Sequence, residues 1–252
     1  MFCSRAAYMF SYRGLPGVFG GTLVFSMILL LLGHGKTGSL VAEVARQRRH
    51  EVRVLRAADN PHGSALTADN LRHIDLVIDF TTPHAVLENI SASVHAAKNM
   101  VVGTTGWYGE LAHARQLVEN SRTGLLFGAN FSIGVNLFFD IARTSAAALE
   151  HGYYGQIFER HHVHKKDAPS GTAVAIRREV QQASGSELEI TSFREGDVVG
   201  MHQLVYDSPN DNIYLCHDAK SRRGFAEGAV RAAEWLAGKQ GFYDFKDVWR
   251  QL

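Results

Sequence analysis

The stretch that most constrains this chain is Met27-Ile28-Leu29-Leu30-Leu31-Leu32, which runs straight into Gly33-His34-Gly35-Lys36-Thr37-Gly38. An apolar run this short, bounded by glycine, reads as a strand buried on both faces. Beyond the turn, over residues 39–49, Leu40, Val41, Val44 and Ala45 recur at the spacing of one helical face. In the order strand, glycine turn, helix, the pattern G-x-G-x-x-G is a dinucleotide site. Its glycines permit a tight turn and close approach of backbone to pyrophosphate, and the helix start supplies N–H groups and a favourable dipole. A purely structural turn fits the same letters but leaves their placement before an amphipathic helix unexplained. Asp59, roughly two dozen residues on, stands where an acidic residue takes ribose hydroxyls, although an ordinary loop aspartate fits equally. Lys36 and Arg56 are able to pair with a 2′-phosphate, so NADH and NADPH both stay open.

Upstream, Arg5 and Arg13 precede an apolar run, Val18 to Leu32, broken by Gly20 and Gly21. A basic start and a short apolar core also describe a signal peptide. Cleavage there would cut the strand from its turn and destroy the nucleotide site, so residues 1–26 are read as a loosely ordered extension.

After the first helix the alternation continues. Residues 51–55, 76–80, 100–102 and 124–127 read as strands, and 84–98 and 108–120 as helices. Short apolar strands alternating with helices predict a Rossmann-like α/β domain, a parallel sheet with helices on both faces. From about Asn130 the texture changes. A helix at 135–149, a strand at 156–159 and a helix at 171–183 precede strands at 187–193, 198–206 and 213–217, and a helix at 224–236 follows. Strands in succession predict an open mixed or antiparallel sheet, hence an α+β second domain.

With 252 residues the chain has room for one large or two modest domains. Its formal net charge of +1 gives no global field toward nucleic acid or membrane. Arg46, Arg48 and Arg49 form one short basic run, read as a solvated helix end. The 2 cysteines, Cys3 and Cys216, argue against a disulfide framework and fit a reducing cytoplasm.

Ligands of open α/β sheets bind beyond the carboxyl ends of the strands. Two small-residue segments fall there: Val102-Gly103-Thr104-Thr105-Gly106 and Gly128-Ala129-Asn130-Phe131-Ser132. Each alone is compatible with a plain loop. Asn130 is placed to bond a cofactor amide or to cap a hinge.

The chemistry concentrates in Glu159-Arg160-His161-His162-Val163-His164-Lys165-Lys166-Asp167-Ala168-Pro169-Ser170-Gly171-Thr172-Ala173. Histidine and lysine bring positive charge and transferable protons. Ser170-Gly171-Thr172, opening a helix, offers N–H groups and two hydroxyls to a carboxylate. The combination describes acid catalysis on a small anionic substrate. His161, His162 and His164 also raise a metal site, but two adjacent lysines oppose a bound cation and no cysteine accompanies them, so no metal is expected. A solvated basic loop is the bland alternative.

This segment resembles the hallmark E-x-H-H-x-x-K-x-D-A-P-S-G-T-A of the 4-hydroxy-tetrahydrodipicolinate reductase family. Asn130 to Asn136, Arg194 to Gly200 with His202, and Ser221 to Ala226 fit it in order, and the likeness runs from Met27 to the end. The first loop departs from the family's usual G-x-x-G-[RK]-M-G, being shorter by one with Thr37 in place of methionine.

The resemblance implies an NADH- or NADPH-dependent oxidoreductase of the diaminopimelate route to lysine. It would be a cytoplasmic homotetramer that reduces a cyclic imine dicarboxylate, (2S,4S)-4-hydroxy-2,3,4,5-tetrahydrodipicolinate, with loss of water. It implies a dinucleotide-binding domain over 27–129 completed by 222–252, and a substrate-binding and oligomerisation domain over 130–221. It makes His161 the proton donor and Lys165 a second acid, and gives the substrate to His162, Ser170, Gly171 and Thr172. The cofactor falls to Gly33, His34, Gly35, Lys36, Thr37, Gly38, Asp59, Phe80, Gly103, Thr104, Thr105, Gly128, Ala129, Asn130 and Phe131. A non-catalytic dinucleotide sensor on the same fold is the alternative, because fold does not fix function.

Overall fold

The computed structural model describes residues 17–19, 22–24 and 26–252. Most of the expected extension therefore lies outside the described residues. Within it, Gly17–Phe19 (β1) and Thr22–Val24 (β2) pair antiparallel. The chain forms two compact units. One takes the described chain up to Leu125 together with Ala233–Phe242, the other Leu126–Ala232 with Tyr243–Leu252. Of the segment 222–252, expected to complete the first unit, only Ala233–Phe242 groups with it.

The first unit is built on Ile28–Leu32 (β3), whose leucines are buried as a strand covered on both faces requires. β3 pairs in parallel with Glu51–Leu55 (β4) on one side and Leu76–Asp79 (β5) on the other. β5 in turn pairs in parallel with Asn99–Val102 (β6). With Gly124–Phe127 (β7) and Gly241–Asp244 (β12), the strand order is β12-β7-β6-β5-β3-β4. The helices of this alternation are Lys36–Gln47 (α1), Pro83–His95 (α2) and Leu111–Glu119 (α3). α1 buries Val41, Val44 and Ala45 of the expected stripe together with Ala42, while Leu40 stays half-buried. β12 has no counterpart in the expected elements: a four-residue edge strand carries no usable period, and only its pairing defines it.

The second unit opens with Ile133–Ser145 (α4), capped by Ser132, whose Oγ accepts from the Val135 N–H at 3.3 Å. α4 passes into a 3-10 turn, Ala146–His151, that ends at left-handed Gly152. Tyr154–His161 (β8) and Glu189–Arg194 (β9) are parallel and joined through Gly171–Ser184 (α5), while Met201–Asp207 (β10) is antiparallel to β8 and to Asn212–Asp218 (β11). The order β11-β10-β8-β9 is an open mixed sheet, as expected. β8 outruns its expected length at both ends because β10 pairs with residues 154–160 and β9 with residues 156–161.

Alternate residues of β8 and β10, among them Ile157, Leu204 and Tyr206, pack under α4 and α5 against Phe138, Ala142, Ala173, Ile176 and Val180. Arg223–Leu236 (α6) and Phe245–Val248 (α7) complete the chain. Among the described residues no helix is long and apolar enough to cross a membrane.

Candidate active site

The side-chain period of two along β8 puts Glu159 and His161 on one face, the face covered by helices. Pairing then supplies their neighbours. His202 of β10 stands opposite Glu159, and Arg194 of β9 opposite His161. Glu159 is wholly buried. Its Oε2 meets His161 Nδ1, and its Oε1 accepts from Arg194 Nη2 at 2.9 Å and from the Ser170 N–H at 3.2 Å. Burial pushes the Glu159 carboxyl up, but hydrogen bonds from Arg194, Ser192 and His161 and the attraction of the imidazole outweigh it and hold it at about 2. His161 is lowered, first by burial and then by Lys165 and Arg194, with Glu159 opposing. The His202 ring lies 5.2 Å from that of His161, edge-on, and its Nε2 meets Ser170 Oγ at 3.1 Å. Burial, chiefly, lowers His202 to about 3.

β8 ends at His161, whose carbonyl accepts from Glu195 N at 2.8 Å. In the turn that follows, Lys165 Nζ holds both oxygens of Asp167 at 2.8 Å. The Asp167 carbonyl in turn accepts from Arg194 Nη2 at 2.6 Å. Ser170 caps α5, its Oγ accepting from Ala173 N at 3.2 Å, which leaves exposed Gly171 and half-buried Thr172 on the first turn. Asn130 Nδ2 lies 3.5 Å from Thr172 Oγ1. The second unit thus gathers His161, Lys165, Ser170, Thr172 and Asn130, residues singled out separately in sequence. The three histidines of the loop do not converge. His162 Nε2 stands 3.3 Å from Arg222 Nη2, and no group of three His, Cys, Asp or Glu among the described residues is placed for a metal ion.

In the first unit the glycine turn has the expected form. Gly33 is left-handed, and a Cβ there would come within 2.3 Å of the Phe80 carbonyl oxygen. A Cβ on Gly38 would meet the Gly33 carbonyl oxygen at 2.5 Å, which is why strand end and helix start sit so close. Gly35 caps α1 with no side-chain bond to the first N–H groups and has open space around it. His34 and Lys36 are exposed beside it and Thr37 is half-buried. This uncapped, glycine-lined helix start fits a dinucleotide pyrophosphate. Asp59 and Arg56 are exposed at the end of β4. The Phe80 ring packs on Gly103, where a Cβ would approach it to 2.2 Å.

Two of the expected cofactor side chains are committed elsewhere. Thr104 Oγ1 donates to buried Asp79 Oδ1 at 2.6 Å, which leaves exposed Thr105 as the outward hydroxyl. The Phe131 ring is buried against Phe245 at 4.7 Å, and a Cβ on Gly128 would collide with Phe245 at 2.8 Å. From Gly128 to Phe131 only Ala129 is exposed, with Asn130 half-buried.

Sequence reasoning assigned nothing to Glu159, Arg194, His202, Gly200 or Asp79. Glu159 and His161 share a strand face because β8 runs on to His161, past the strand expected at 156–159, and the others depend on register.

Two family models cover almost all of this chain: dihydrodipicolinate reductase, N-terminus, over residues 27–131, and dihydrodipicolinate reductase, C-terminus, over residues 134–249. A 4-hydroxy-tetrahydrodipicolinate reductase of Christiangramia forsetii is 36% identical over 240 residues, covering 90% of this chain and 99% of its own. One from Neisseria meningitidis is 38% identical over 198 residues, 71% of this chain and 73% of its own. Among solved structures, a dipicolinate-bound dihydrodipicolinate reductase from Paenisporosarcina sp. TG-14 superposes with a TM-score of 0.73 at 21% identity, over 89% of this chain and 100% of that one, and shares the fold. The chain belongs to the dihydrodipicolinate reductase family.

Proposed function

We propose that His161 and Lys165 supply the protons, and the α5 N-terminus the anion site, for the reaction of this family. That reaction is NAD(P)H-dependent reduction of (2S,4S)-4-hydroxy-2,3,4,5-tetrahydrodipicolinate to (S)-2,3,4,5-tetrahydrodipicolinate with loss of water. The observation that carries it is the buried Glu159–His161 pair set beside Lys165 and the Ser170-capped helix start. The substrate carries two carboxylates and an imine. The Gly171 and Thr172 N–H groups and the Thr172 hydroxyl suit one carboxylate, with His162 and the Lys165 ammonium adding charge-assisted contacts. Bound NAD(P)H supplies the hydride and leaves oxidised. Loss of water leaves a conjugated imine, and hydride added at one of its ring carbons builds electron density toward the adjacent carbon and the nitrogen. The His161 imidazolium quenches it with a proton, and Lys165 serves as the second acid.

In the first unit, Gly33, Gly35, Gly38 and the first N–H groups of α1 would hold the pyrophosphate, with Asp59, Lys36 and Arg56 at the ribose. Thr105 exposes its hydroxyl for the remainder. The domain roles follow: dinucleotide binding for the first unit, substrate for the second. A cytoplasmic homotetramer accords with this. The uncovered face of the mixed sheet exposes Tyr154 at 59%, Phe193 at 44% and Tyr214 at 64%. Light scattering that finds only monomer would remove the tetramer.

The test is a coupled assay. Freshly made synthase product is supplied, and nicotinamide absorbance is followed with NADH and NADPH separately. Turnover with at least one of the two is expected; none with either would sink the assignment.

A further inference from the structure

Glu159 has no part in the reaction as written, yet its carboxylate reaches three parts of the site. Oε2 faces His161, the proton donor. Oε1 takes the Ser170 N–H at the start of α5, where a substrate carboxylate would sit. Through Arg194, which bonds both Oε1 and the Asp167 carbonyl, it is joined to the turn that pairs Lys165 with Asp167. An ionised carboxylate accepts and cannot donate. His161 Nδ1 must therefore carry a hydrogen whether the ring is neutral or charged, and Nε2 alone gains and loses a proton. Gly200 stands against that nitrogen: a Cβ there would lie 2.9 Å from Nε2, so a side chain at residue 200 would press on the ring. The groups facing His161 are Glu159 on β8, Arg194 on β9, His202 on β10, and Lys165 with its partner Asp167 in the loop. Only Glu159 bonds the ring and carries negative charge.

We propose that Glu159 is a positioning residue for proton transfer: it fixes His161 as the Nδ1–H tautomer, reserves Nε2 for the substrate, and ties that nitrogen to the start of α5. This rests on His161 being the donor. Glu159→Gln keeps the shape but reverses one bond. The amide oxygen serves Ser170 and Arg194, so the NH2 must face Nδ1, which then has to accept. The neutral ring becomes Nε2–H, and the imidazolium loses its counter-charge.

The test uses the full chain. Nitrogen NMR of histidine-labelled protein without substrate reads the tautomer, and steady-state kinetics across pH reads the donor. We expect Nδ1–H in the natural protein and Nε2–H in E159Q. In E159Q kcat should fall by about 10²-fold or more. The loss of kcat with rising pH should shift to lower pH, because the imidazolium has lost the group that supports it. Substrate KM and the NAD(P)H dissociation constant should stay within about threefold. An Nε2–H ring in the natural protein would overturn the idea and needs no variant to fold. So would an E159Q protein with unchanged kcat and pH profile while His161→Gln is inactive. If His161→Gln itself turns over normally, the donor assignment fails first.

Discussion

Lys165 is held by Asp167 through two contacts of 2.8 Å, and its side chain stays mostly shielded. Asp167 at the other end is exposed, and a pair screened by solvent on one side contributes little to stability, so its value lies in placing an ammonium beside His161. Lys165→Ala should leave the fold and NAD(P)H binding intact and cut kcat by about 10²-fold or more, the share of one positioned acid. Loss of cofactor binding in step with turnover, read by fluorescence titration of NADPH, would contradict that role. Phe131 makes the opposite point. The resemblance gives it to the cofactor, but its ring belongs to the core with Phe245, and the Phe131 carbonyl occupies the space that a Cβ on Gly228 would need, at 1.7 Å.

Between elements, Asp79 does for the first unit what Glu159 does for the second. Its Oδ1 accepts from Thr81 N at 2.9 Å, Thr81 Oγ1 at 2.8 Å and Thr104 Oγ1 at 2.6 Å, and its Oδ2 from Asn89 Nδ2 at 2.8 Å. One buried carboxylate thus joins the end of β5, the loop after β6 and the body of α2. These are the segments that carry Phe80, Gly103 and Thr105. Thr104→Val keeps the shape and removes one donor from Asp79. It should cost about 1–3 kcal/mol of stability, the usual penalty for an unmade bond to a buried polar group. Urea unfolding measures it, and an unchanged midpoint would show that Thr104 does not hold this junction.

For the molecule as a whole, buried titratable groups make stability depend on acid. His202 is lowered from 6.5 to about 3, so below about pH 6.5 the unfolded chain takes a proton the native one refuses. Its contribution is fully present above 6.5 and is lost as pH falls toward 3. Glu159, lowered from 4.5 to about 2, adds a second loss between those values. His161 and His217, both also lowered mainly by burial, act in the same sense as His202. Urea midpoints should therefore fall from about pH 7 to about pH 4, and less steeply in His202→Gln. A slope unaltered by that substitution would show that His202 titrates normally in the folded protein.

The strand, glycine turn and helix at 27–49, the alternation that follows, the mixed second sheet and the histidine-lysine segment were all legible in sequence. Each is a local pattern: a period of two or 3.6, a turn residue, a helix cap. The lengths of β8 and β10, the strand β12, the burial of Phe131 and the commitment of Thr104 to Asp79 were not. Nor was the company His161 keeps. The chain alone sets Glu159 and His161 two residues apart, so that they share a face wherever one strand runs through both. Tertiary structure decides that Arg194, His202 and Gly200 join them, because register between strands far apart in sequence is set by packing the whole sheet beneath its helices.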